Sequence, residues 1–70
     1  MRGVIRNFDG YKGYGFIISK DCITEIFCHI KDFMYKRKED IYQGLEVEFD
    51  VERQMKGYKA VNIRVLRSGK

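Results

Sequence analysis

The stretch "LEVEFDVE", Leu45 to Glu52, alternates without a break, with Leu45, Val47, Phe49 and Val51 on one phase and Glu46, Glu48, Asp50 and Glu52 on the other. A period of two kept over this length describes an extended strand with one buried and one wet face. "KAVNIRV" (Lys59 to Val65) repeats the pattern, which predicts Val61, Ile63 and Val65 inside and Ala60, Asn62 and Arg64 outside. Gly57, in the intervening "RQMKGYK", suits a turn, so the two segments read as a hairpin.

Upstream, "GVIRNF" (Gly3 to Phe8), "YGFIIS" (Tyr14 to Ser19) and "EIFCHI" (Glu25 to Ile30) are β-branched and aromatic runs. Asp9-Gly10, Lys12-Gly13 and Lys20-Asp21 punctuate them. Five short strands at this spacing predict an all-β chain closed, or nearly closed, into an antiparallel barrel, because closure removes the edges that a small sheet exposes. "KDFMYKRKEDIYQ" (Lys31 to Gln43) has no period of two and reads as a long loop, with one helical turn around Phe33 and Met34. Phe33, Met34 and Ile41 are expected to plug the barrel end.

The 70 residues contain no repeat, no low-complexity segment and no proline, and read as one domain spanning 1–70, with a core from about 3 to 66 and a basic tail at 67–70. A chain this short buries only roughly 60% of its unfolded surface, so its stability is expected to be marginal. No apolar run approaches the ~20 residues that span a bilayer, and "MRGVIRNF" lacks the apolar stretch of a signal peptide. The expectation is a cytoplasmic monomer without a membrane partner. Cys22 and Cys28 are too few for a disulfide framework and read as reduced thiols. Fourteen Lys and Arg against ten Asp and Glu give a formal charge of +4, which permits attraction to a polyanion without requiring it.

Alternation sorts the second and third strands further. Tyr14 and Phe16 oppose Gly15 and Ile17, while Phe27 and His29 oppose Ile26, Cys28 and Ile30. With the aliphatic side inside the barrel, four rings lie outside on neighbouring strands, an arrangement suited to stacking bases at about 1–3 kcal/mol each. Gly13 and Gly15 are then expected to let a ligand approach the backbone closely.

"KGYGFI" (Lys12 to Ile17) resembles the first ribonucleoprotein motif of the cold-shock domains, usually KGFGFI, and "IFCHI" (Ile26 to Ile30) resembles their second, usually VFVHF. Gly3, Phe8, "GLEVEF" (Gly44 to Phe49) and "KGYKAVNI" (Lys56 to Ile63) extend the resemblance in order. It implies a five-stranded antiparallel barrel of the oligonucleotide/oligosaccharide-binding type (OB-fold) that binds single-stranded RNA or DNA. By position, Lys12, Tyr14, Phe16, Phe27 and His29 would form the platform, with Phe8 at its edge, Lys56 near a phosphate and Arg6 as a further cation. Asn7, Ile30, Lys38 and Tyr58 depart from the family pattern, the first three where the family has aromatic residues and Tyr58 where it has proline. Tyr11 and Tyr58 are candidate replacement rings, and "YKRK" (Tyr35 to Lys38) offers charge to phosphates, with Lys38 itself among the candidate contacts.

The resemblance implies an ATP-independent RNA chaperone or a regulator of transcription or translation. The competing reading is a protein-interaction module whose platform has decayed, as Asn7 and Ile30 would allow; the persistence of four central rings opposes it. Neighbouring strand residues point to opposite faces, so Cys28 and His29 are poorly placed to share a metal ion or a catalytic proton. No cofactor, small-molecule substrate or enzymatic activity is expected.

Overall fold

The computed structural model describes residues 1–34 and 38–66, with Lys38 by its backbone alone. Each β-branched and aromatic run becomes a strand: β1 (Arg2–Asp9), β2 (Tyr14–Ser19), β3 (Cys22–His29), β4 (Glu46–Gln54) and β5 (Gly57–Val65). β3 begins three residues before the segment read from sequence and ends before Ile30, which opens a 3-10 turn at Ile30–Asp32. A second 3-10 turn covers Lys38–Asp40. The helical turn expected around Phe33 and Met34 therefore lies just upstream, and Phe33 itself is extended, with φ −83° and ψ 135°.

The sheet closes on itself in the order β1-β2-β3-β5-β4. β1–β2, β1–β4, β2–β3 and β4–β5 pair antiparallel. The remaining seam, β3 with β5, is parallel and sets Ile26 opposite Tyr58 and Phe27 opposite Lys59. No periodicity within either strand announces that seam, because a parallel closure joins segments far apart in the chain. Among the described residues no helix is long and apolar enough to cross a membrane.

Ile5, Ile17, Ile26, Cys28, Val47, Phe49, Ala60 and Ile63 fill the barrel, and Phe33, Ile41 and Leu45 join them from the connections. Phe33 and Ile41 thus close the barrel as expected, but Met34 is exposed. Phe33 bridges to Ile63, and the Met34 N–H donates to the Ile63 carbonyl, so the chain bends there and carries the Met34 side chain outward.

The alternation read for β5 fails at Ala60, which was expected outside and is fully buried. The cause is a bulge: Glu48 pairs with Arg64 and Asp50 with Val61, so Asn62 and Ile63 together oppose Phe49. Asn62 takes the left-handed conformation at φ 52°, which asparagine tolerates, and its Nδ2 donates to Asp50 Oδ2 at 3.1 Å. The extra residue shifts the phase, so Ala60 points inward before it and Ile63 after it, and Val61 is left half-buried. Val51, expected inside, is 36% exposed. It pairs with Ala60 on an arm, residues 50–58, whose side chains are all exposed.

Candidate nucleic-acid interface

β2 and β3 lie in a register that pairs Tyr14 with His29 and Phe16 with Phe27. All four rings are half-buried on the outer face, while Ile17, Ile26 and Cys28 beneath them have no exposed surface. The sorting follows from strict alternation on two adjacent strands whose aliphatic phase is held in the core. Phe27 sits at the centre of the row: its ring centroid is 5.6 Å from that of Tyr14, tilted by 35°, and 5.9 Å from that of Phe16, edge-on at 72°. These contacts fix the rings in place while leaving part of each face open.

The turn from β1 to β2 sets Lys12 at one end of the row. Asp9 Oδ1 accepts from the N–H groups of Tyr11 and Lys12 at 2.9 and 3.1 Å, and the Asp9 carbonyl accepts from Gly13 N–H at 2.7 Å. Gly13 turns the chain at φ 83°. Its carbonyl then accepts from Ile30 N–H at 2.8 Å, which ties the turn to the end of β3. At that end, His29 Nδ1 accepts from Lys31 N–H at 3.1 Å, so the neutral imidazole carries its proton on Nε2. Ile30 packs against the core, as its phase on the aliphatic side required.

The glycines serve a different purpose from the one expected. A Cβ on Gly15 would run into the Asn7 carbonyl oxygen and lie 2.7 Å from Phe8 Cα. The missing side chain lets β1 lie close against β2; it is the neighbouring strand, rather than a ligand, that fills the space. Gly13 answers to its positive φ. Gly15→Ala is therefore expected to destabilise the fold by about 1–3 kcal/mol, since backbone atoms give way less easily than side chains. Chemical denaturation would check this, and a midpoint equal to that of the wild type would show that β1 has slack at this point.

Phe8 belongs partly to the core. Its ring packs edge-on against Phe33, centroids 6.0 Å apart, and it also lines a shallow groove with Asn7, Asp9, Tyr14, Gly15 and Phe16. A second groove on the other side of Phe16 includes Glu25, Phe27, Gln54, Lys56 and Tyr58. Lys56 and Tyr58 are thus brought to the ring row. Tyr11 is 96% exposed in its turn, and neither Tyr11 nor Tyr58 makes a ring contact among the described residues. Arg6 is engaged: its Nε lies 3.1 Å from Glu25 Oε2. "YKRK", the Lys38 side chain and the basic tail at 67–70 lie outside the described residues.

Two charged neighbours of the row went unnoticed in the sequence. Glu25 was legible, since it shares the phase of Phe27 and His29. Lys59 was not, because only the parallel seam sets it opposite Phe27. Its Nζ lies 3.4 Å from Asp32 Oδ2, with both side chains mostly covered. Beneath the platform, burial pushes the Cys28 thiol up to about 12, helped by the Asp32 charge and opposed by a hydrogen bond from the Gly15 backbone, so the sulfur stays protonated at neutral pH.

The family model described as 'Cold-shock' DNA-binding domain matches residues 1–66. A "Cold shock-like protein" of Aquifex aeolicus (strain VF5) is 40% identical over 66 residues, covering 94% of each chain. A "Cold shock-like protein" of Thermotoga maritima is 35% identical, covering 94% of this chain and 98% of the relative. Among solved structures, the chain titled "drosophila Unr CSD456" superposes with a TM-score of 0.78 at 26% identity. That match covers 94% of this chain and 26% of the Unr chain, so the present chain spans about a quarter of it.

Proposed function

The chain belongs to the cold-shock domain family, whose members are nucleic-acid-binding proteins rather than enzymes, and we propose that it binds single-stranded RNA or DNA across the outer faces of β2 and β3. The observation that carries this reading is the sorting of Tyr14, Phe16, Phe27 and His29 to the outside of a barrel whose interior is already filled. Half-exposed rings in contact, fixed by the strand ladder beneath them, offer π-faces to successive bases without a large ordering cost. Lys12 and Lys56 stand at the margins of the row, Phe8 supports its edge, and Tyr11, Tyr58, Arg6 and Lys38 are proposed as outer contacts. Stacking tolerates any base because every base has a π-face, so the row by itself imposes little sequence preference.

The biological role proposed is that of a monomeric cytoplasmic RNA chaperone, or a regulator of transcription or translation, working without ATP. Binding only the open form of a transcript draws its pairing equilibrium toward that form by differential affinity alone. Titration of fluorescent heptathymidine and heptauridine at two salt concentrations tests the proposal. Binding is expected to both, with log K falling by about 0.7 per tenfold rise in salt for each phosphate neutralised. Failure of both oligonucleotides to bind at low salt would leave the protein-interaction reading in its place.

A further inference from the structure

Arg6 and Glu25 meet across β2, and both occupy positions where the ladder is out of register. On β1, Ile5 pairs with Ile17 and Asn7 with Phe16, which leaves Arg6 without a partner on β2. On β3, Ile26 pairs with Ile17 and Cys22 with Ser19, so Glu25 falls in a stretch that likewise escapes the regular pairing. Released from the ladder at these irregularities, the two side chains reach over the strand between them and come within 3.1 Å. Glu25 at the same time lines the groove beside Phe16 and Phe27, with Lys56 and Lys59 as its cationic neighbours there.

We propose that Glu25 is a counter-ion that a phosphate of the bound strand displaces, so that the Arg6–Glu25 pair restrains binding at the ring row. This rests on the proposed function. The pair is exposed, at 53% and 41% of the two side chains, and exposed pairs of this kind are weak. A guanidinium can instead hold a phosphate through two parallel N–H donors, a stronger geometry than a contact through Nε alone. Exchange of carboxylate for phosphate is therefore favourable at Arg6. Its cost is that the Glu25 carboxylate loses its 3.1 Å partner beside an incoming polyanion. Glu25 is thus a positioning residue for Arg6, and it keeps the platform's grip weak enough for release.

The test compares Glu25→Gln with Glu46→Gln, which makes the same charge change on β4, outside the ring-side grooves. Heptathymidine affinity is measured for both at low and high salt, and melting curves establish that each variant is folded. Glu25→Gln is expected to tighten binding at low salt by up to about fivefold and to steepen the salt dependence by about 0.7 in log K per tenfold change. Glu46→Gln should produce a clearly smaller change, because Glu46 lines neither ring-side groove and holds no cation of the row. Adding Arg6→Gln to Glu25→Gln should cancel the gain. An equal effect from the two acid variants, weaker binding by Glu25→Gln, or a gain that survives loss of Arg6 would each overturn the inference while leaving the proposed function standing. Absence of binding by the wild type would instead overturn the proposed function and remove the inference with it.

Discussion

Phe16→Ala and Phe27→Ala are each expected to weaken heptathymidine binding by about 1–3 kcal/mol, roughly one to two orders of magnitude in Kd, while the barrel remains folded. Both rings lie outside a core that Ile17, Ile26 and Cys28 fill without them. Truncating Phe27 should cost more, since it touches both Tyr14 and Phe16 and its loss frees two further rings to move. The double variant should lose less than the sum of the singles, because residues in direct contact do not act independently. Fluorescence titration gives the affinities, and circular dichroism melting gives the state of the fold. Variants that unfold, or that bind as the wild type does, would assign the rings to packing and remove the platform.

Phe49→Ala is expected to act on the other side of the same wall. Phe49 is among the largest fully buried side chains, held where the β5 bulge sets Asn62 and Ile63 opposite it. Truncation removes its transfer free energy and leaves a cavity, together about 3–5 kcal/mol. A domain of this length has on the order of 4–10 kcal/mol in total. Most of the stability is therefore at stake, and the melting temperature should fall by about 15 °C or more. Val51→Ala, two residues along the same phase, should move it far less, because Val51 is 36% exposed on the projecting arm. Comparable losses from the two would mean that the arm is packed into the core, and an unchanged melt for Phe49→Ala would place that ring outside it.

The contrast between Phe49 and Val51 shows the limit of reading burial from a pattern. Alternation from Leu45 to Val51 is perfect in the sequence, yet burial stops at Phe49, because a strand can run on past the core that its own phase addresses. In β5 the converse happens: Ala60 looks like an outside residue until Asn62 takes a left-handed conformation and the phase slips. At the ring row the pattern was sufficient. Tyr14, Phe16, Phe27 and His29 could be assigned to one outer face because no irregularity falls between Tyr14 and Ile17 or between Ile26 and His29.

The amino-acid sequence by itself determined the strands, the β4–β5 hairpin, the family, and the division of β2 and β3 into a ring face and an aliphatic face, although the hairpin turns at Met55 and Lys56 and Gly57 already pairs with Gln54. All of these depend on neighbours a few residues apart, where the pleat converts order in the chain directly into direction in space. Only the tertiary structure decided that β3 and β5 close the barrel in parallel, that Gly15 makes room for β1, and that Met34 turns outward. The same holds for the pairing of Arg6 with Glu25 and of Lys59 with Asp32. Each of these joins parts of the chain whose separation no local period encodes, and each is settled by where the closed sheet brings backbone and charge together.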